Sequence, residues 1–229
     1  LRSGPRLCRA RGVPRRCRCG NGIEPTVQCG RPCPRALEPL LLADRLAASY
    51  LRETYARNRR GIAIMWHVRD EQAKDAADVE ELVIACFGAG RFAKTAYRLR
   101  EGTTPVKGLS FVAVDDQSEK LIGSVRFSNI DIGGSASLLL GPLSVRPELR
   151  GKGIGISLMQ RGIDEARAQG HESVILVGDQ PYYSKVGFTR LPPGRFIMPG
   201  PIDPLRLLGI SIKPGALEKL SGDVQRAAE

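Results

Sequence analysis

The run Leu143-Ser144-Val145-Arg146-Pro147-Glu148-Leu149-Arg150-Gly151-Lys152-Gly153-Ile154-Gly155 carries the strongest structural signal in the chain. An aliphatic run stops at a proline, which cannot donate to a sheet ladder, and three glycines then precede a helical apolar pattern. That reads as a strand, a short link and a helix start. Exposed backbone N–H groups at a helix N-terminus carry partial positive charge, and glycines let a bulky anion reach them. Arg150 and Lys152 add full charges beside that cradle, which suits a diphosphate. A dinucleotide G-x-G-x-x-G would need glycine where Ile156 stands, and a P-loop would need Ser or Thr where Gly153 stands. The competing reading is a plain tight turn with two solvated cations.

Outward from this stretch the elements follow in order. Residues 62–68 read as a first strand, and residues 76–87 as an amphipathic helix with Val79, Leu82, Val83 and Cys86 on one face. A second helix is expected over 91–100. Strands at 109–114 and 121–127 flank the polar turn Asp115-Asp116-Gln117-Ser118, the spacing of an antiparallel pair. A strand over 137–145 is interrupted at Gly141-Pro142, where a bulge or a break is expected. Met159, Ile163 and Ala166 mark the helix after the glycines, and Gly170 ends it. Residues 173–177 form a buried strand, and Asp179 and Pro181 open a short helix as cap and first turn. The last strand is expected near 205–212 and a final helix over 216–227. The order βααβββαβαβ implies one mixed sheet in an α/β (α+β) domain.

Charge separates this domain from what precedes it. The chain has 229 residues and a net charge of +11. Residues 1–64 hold 14 Arg, no Lys and four acids, a net of +10, which leaves the rest near neutral. Five of the six cysteines (Cys8, Cys17, Cys19, Cys29, Cys33) lie in the same segment at spacings that match no zinc template, so no metal is expected. Residues 1–34 offer no face to bury and read as disordered, while leucines and alanines over 36–60 suggest one helix. The first methionine is Met65. The expected division is an Arg/Cys/Pro-rich extension over 1–62 that is not native coding sequence, a working domain over 65–213 and a C-terminal helix over 214–229. A basic nucleic-acid tail and an organellar targeting piece are the alternatives for the extension. Without a long apolar run or a signal peptide, the expected location is cytoplasmic, with no membrane partner.

Arg150-Gly151-Lys152-Gly153-Ile154-Gly155 resembles the signature of the GNAT superfamily of N-acetyltransferases: Arg or Gln, two residues, Gly, one residue, then Gly or Ala. A second hallmark, a tyrosine four residues before Gly-Phe, is matched by Tyr183 before Gly187-Phe188. The resemblance runs from about Met65 to Ile212 and extends to uncharacterised bacterial acetyltransferases through Pro142-Leu143-Ser144-Val145 and Lys213-Pro214-Gly215-Ala216-Leu217. It implies a mainly antiparallel mixed sheet flanked by helices, with acetyl-CoA as cosubstrate. Arg150, Gly151, Lys152, Gly153, Ile154 and Gly155 would bind its diphosphate, and Leu143, Ser144 and Val145 its pantetheine arm.

The resemblance further implies acetyl transfer to a primary amine on a small molecule or protein, with Tyr183 as general acid. No carboxylate lies between Ser135 and Val145, so Asp131 and Asp179 are the candidate bases beside a water relay, and His67 and His171 read as structural. Two other functions compete: a non-catalytic acyl-CoA-binding regulator, and a nucleic-acid binder driven by the basic segment, which the near-neutral domain disfavours. A homodimer is a further expectation.

Overall fold

The computed structural model describes residues 54–57 and 63–227. Among them the strands are β1 (Thr54–Arg57), β2 (Ala63–Asp70), β3 (Ser110–Asp115), β4 (Leu121–Ile132), β5 (Ser135–Val145), β6 (Ser173–Val177), β7 (Thr189–Arg190), β8 (Phe196–Ile197), β9 (Leu207–Ser211) and β10 (Gly222–Arg226). The α-helices are α1 (Ala76–Phe87), α2 (Thr95–Arg98), α3 (Ile154–Ala168) and α4 (Gln180–Tyr183). The sheet order is β1-β2-β3-β4-β5-β6-β9-β7, with β10 joined to β4 and β8. Only β5/β6 and β8/β10 are parallel, so the sheet is mixed and mainly antiparallel, as expected.

Burial explains the sequence patterns. On β3, Phe111 and Ala113 join the core with α3, while Val112 and Val114 pack with Val79, Leu82 and Val83 of α1. The strand is covered on both faces, which is why it reads as an unbroken apolar run. On α3, Leu158, Met159, Ile163 and Ala166 are all buried. Each large apolar side chain removed from water in this way contributes about 1.5–3 kcal/mol.

Three expectations are corrected. The 36–60 helix lies outside the described residues up to 53, but Thr54–Arg57 is a strand paired antiparallel with β2. An edge strand joins the sheet through its backbone, and Thr54 and Tyr55 favour that conformation. The sheet therefore begins before residue 62. The proposed disorder of 1–34 lies outside the described residues. Second, the helix expected over 91–100 is a 3-10 turn (Ala89–Ala93) followed by α2, because Lys94 is extended at φ −76°, ψ 134°.

Third, the final helix is a 3-10 turn (Leu217–Lys219) followed by β10. Ala216, Leu217, Leu220 and Val224 are all buried, and their spacing imitates a helical face. Gly222, at φ +107°, turns the chain along β4, where Val224 pairs with Ile132 and Arg226 with Ile130. β3 covers only the first half of β4 on that edge, and β10 takes the second.

Candidate active site

Two local irregularities open the centre of the sheet. Val125 pairs with Leu143 but Phe127 pairs with Leu140, so Gly141 and Pro142 face the single residue Arg126: a β-bulge, at the position the proline predicts. On its other edge β5 meets β6 only at Leu138↔Val174 and Leu139↔Ile175. Beyond that point the two parallel strands part, and the β6-facing edge of Leu140–Val145 is left without a strand.

The ladder decides which backbone groups face that gap. Arg146 donates its N–H to Ile122 O at 2.9 Å, so Ile122/Arg146 is a hydrogen-bonded pair. Such pairs alternate along an antiparallel ladder, which makes Ser124/Ser144 the next one and turns the N–H and C=O of Leu143 and Val145 outward. Ser144, expected with them, instead faces β4 with its backbone, and its side chain is buried. The reason is the two-residue period of a strand, which the grouped expectation ignored. The Cys86 thiol donates to the Val145 carbonyl at 3.3 Å, leaving that oxygen a second lone pair.

The glycine loop follows directly. Gly153 is the N-cap of α3 at φ +89°, and Gly151 is at φ +78°, left-handed conformations that glycine adopts without cost. Among the described residues no acceptor takes the N–H groups of residues 151–156; the nearest bonds of the turn are Arg150 N–H to Pro147 O at 3.4 Å and Ser157 N–H to Gly153 O at 3.0 Å. Arg150 and Lys152 have no carboxylate partner among the described residues. Ile154 is buried in the core, so only its N–H faces outward. The residues present therefore fit an anion: six unclaimed donors at the positive end of a 15-residue helix, with two cations alongside.

The helix α4 ties this loop to a cleft of about 740 Å³. The Tyr182 hydroxyl lies against Gly155, and a Cβ at that position would run into it. Tyr183, one residue on, lines the cleft with Leu143 and the bulge residues Gly141 and Pro142. Its ring lies over Gly178 and meets Tyr182 and Phe188 edge-on, with centroids 5.2 and 6.1 Å apart. Burial pushes the Tyr183 phenol up to about 12, helped by Tyr182 and Asp179 and opposed by Arg206 and Arg100. It is a firm hydrogen-bond donor at neutral pH.

The candidate bases separate cleanly. Asp131 accepts from Gly134 N–H at 2.8 Å in the β4–β5 hairpin, five residues along β4 from Arg126, a distance of roughly 17 Å. It closes a turn and lies away from the cleft. Asp179 lines the cleft; its side chain makes no helix cap, contrary to expectation, and instead pairs with Arg206 Nε at 3.1 Å. His67 bonds Asp116 at 2.5 Å on the surface, and His171 is half-buried, its pKa lowered by that burial; neither lines the cleft.

The structure adds cleft residues that the sequence reading did not single out: Arg100, the Glu80–Arg91 pair at 2.5 Å, and Arg126, held in a bidentate grip by Glu71. They come from distant segments, and no motif marks them.

Residues 76–188 match the model of the acetyltransferase (GNAT) family. The uncharacterized N-acetyltransferase YhbS of Escherichia coli (strain K12) is 34% identical over 123 residues, which cover 53% of this chain and 72% of YhbS. The uncharacterized N-acetyltransferase YjhQ of the same strain is 30% identical over 127 residues, covering 54% of this chain and 68% of YjhQ. Among solved structures, E. coli YhbS in complex with CoA superposes with a TM-score of 0.62 at 28% identity, over 72% of this chain and 92% of that one. A GNAT family acetyltransferase from Brucella melitensis in complex with acetyl-CoA gives a TM-score of 0.53 at 28% identity, over 71% of this chain and 96% of its own.

Proposed function

The chain belongs to the acetyltransferase (GNAT) family, and we propose that it moves an acetyl group from acetyl-CoA to a primary amine. The observation that carries this is the row of unclaimed amides at residues 151–156, continuous with an open strand edge that leads to Tyr183. The CoA and acetyl-CoA held by the two relatives support the same ligand here.

Each residue then has a physical task. The amides of 151–156, with Arg150 and Lys152, hold the diphosphate. The outward C=O of Leu143 and the N–H and C=O of Val145 pair with the amide-bearing pantetheine arm as with an added strand, which leaves the Leu143 N–H for the reacting carbonyl. In the reaction the amine nitrogen forms a bond to the acetyl carbon and the carbon–sulfur bond breaks. The proton lost by nitrogen balances the one that sulfur takes up. Leu143 N–H is placed to meet the oxyanion that forms between these events, and such a donor is typically worth about 100- to 1,000-fold in rate. Asp179, a cleft carboxylate close enough to Tyr183 to influence it electrostatically, is the proposed acceptor of the amine proton.

Tyr183 serves the leaving sulfur. A phenol near 12 giving its proton outright to a thiolate whose own pKa is about 8.5 would climb roughly 5 kcal/mol. The favoured role is therefore a strong hydrogen bond to the developing thiolate, with protonation completed afterwards. Positioning matters accordingly. Gly178→Ala places a methyl against the Tyr183 ring and should lower turnover about 10- to 100-fold while the protein stays folded, as read by steady-state kinetics beside circular dichroism.

The whole reading is tested by calorimetric titration with acetyl-CoA, followed by thiol release in the presence of an amine panel. No binding at millimolar acetyl-CoA would end it. Binding without amine-dependent thiol release would favour the acyl-CoA-binding regulator.

A further inference from the structure

Among the described residues, each charged side chain that lines the cleft has an ionic, hydrogen-bonded or ring partner, Arg100 excepted. Arg91 pairs with Glu80 at 2.5 Å, Arg126 with Glu71, and Arg206 with Asp179 at 3.1 Å. Asp203 accepts from Leu205 N–H at 2.9 Å, and the Lys94 ammonium sits 4.8 Å from the centre of the Phe87 ring. Arg100 has no carboxylate and no hydrogen-bond acceptor for its guanidinium among the described residues. Burial draws it down to about 10, so it remains charged at neutral pH.

Its place is fixed from both sides. The Arg100 N–H donates to Tyr97 O at 2.9 Å, and its carbonyl accepts from both the N–H and the hydroxyl of Thr103, at 3.1 and 2.9 Å. The guanidinium reaches the bulge: a Cβ on Gly141 would stand 2.6 Å from Nη1. It thus lies beside the strand segment that leads to Leu143 and in the electrostatic reach of Tyr183. A desolvated guanidinium without an anion is costly, and its planar fork matches a carboxylate or a phosphate.

We infer that the acceptor is a small primary amine carrying its own anionic group, a carboxylate or a phosphate, and that Arg100 holds that group in the cleft. This rests on the acetyltransferase reading above. A cleft of about 740 Å³ has room for a compact molecule beside the thioester end of the coenzyme. The fork fixes the anion and leaves the amine to reach the thioester carbon.

The test uses matched acceptors at fixed acetyl-CoA: glycine against glycinamide, β-alanine against its amide, γ-aminobutyrate against its amide, and O-phosphoethanolamine against ethanolamine. The readout is kcat/KM from thiol release. At least one anionic member should exceed its neutral partner by about 10- to 100-fold, the range for hydrogen bonds to a charged group. The carboxylate and phosphate arms identify the source of the anion. Arg100→Gln should collapse that ratio toward one, and Arg100→Lys, which keeps the charge and loses the fork, should fall between. Acetyl-CoA affinity, measured by titration on the same variants, reports whether they fold. The inference is overturned if neutral partners match the anionic ones throughout, if Arg100→Gln slows both members of a pair equally, or if acetyl-CoA binds and no member of the panel is acetylated. Failure to bind acetyl-CoA at all would instead overturn the underlying activity.

Discussion

Gly153→Asp is expected to weaken acetyl-CoA binding by about 100-fold or more, with a fall of only a few degrees in melting temperature. A Cβ at Gly153 meets nothing within 4 Å, so the substitution causes no clash. Its backbone is left-handed at φ +89°, which costs a non-glycine residue about 1–2 kcal/mol, at the low end for Asp. The larger effect is charge. A carboxylate about 5 Å from a diphosphate repels it by roughly 3 kcal/mol at an effective dielectric of 20. That repulsion alone exceeds the approximately 2.7 kcal/mol that a 100-fold change represents; the backbone cost falls on folding instead. Gly153→Ala carries only the backbone part and should lose far less. Calorimetry on the three proteins separates the contributions, and equal affinity for all of them would remove the loop from the binding site.

Tyr183→Phe should lower kcat by about 100-fold and leave the acetyl-CoA dissociation constant within about twofold. The phenol makes no hydrogen bond among the described residues, so removing the hydroxyl orphans no partner, and the ring keeps its contacts with Tyr182 and Phe188. A matched loss of binding and turnover would assign the residue to packing alone. The pH profile gives a second reading. With the phenol pushed up to about 12, Tyr183 stays protonated through pH 10, so the wild-type rate should not fall between pH 8 and pH 10 on its account. A basic limb in that range that vanishes in Tyr183→Phe would contradict the burial described for it.

What could be read from the chain was what is decided locally. The glycine turn and the helix start depend only on residues within Arg150–Gly155, and the structure shows Gly151 and Gly153 left-handed with the helix beginning at Ile154. Tyr183 was found through its spacing to Gly187-Phe188, and its ring indeed lines the cleft. Ser144 was grouped with Leu143 and Val145 because sequence position alone does not say which way a ladder alternates; the Arg146–Ile122 bond does. Arg100 carried no signal, since its meaning arises only when residues 95–103 come to rest against a bulge some forty residues away. The C-terminal strand was hidden for a similar reason. Ala216, Leu217, Leu220 and Val224 are spaced like a helix face, and only the vacant half-edge of β4 decides otherwise.

That late strand alters how the chain can be shortened. Cutting back to residue 213, where the recognisable motifs have already ended, would strip β4 of its neighbour along Ile130–Ile132 and unroof Leu139 and Ile175. A bare ladder beside greasy side chains is a template for strand exchange between molecules. A chain trimmed in this way should accordingly self-associate more readily than the full one, because residues 216–226 roof that ladder and its apolar neighbours.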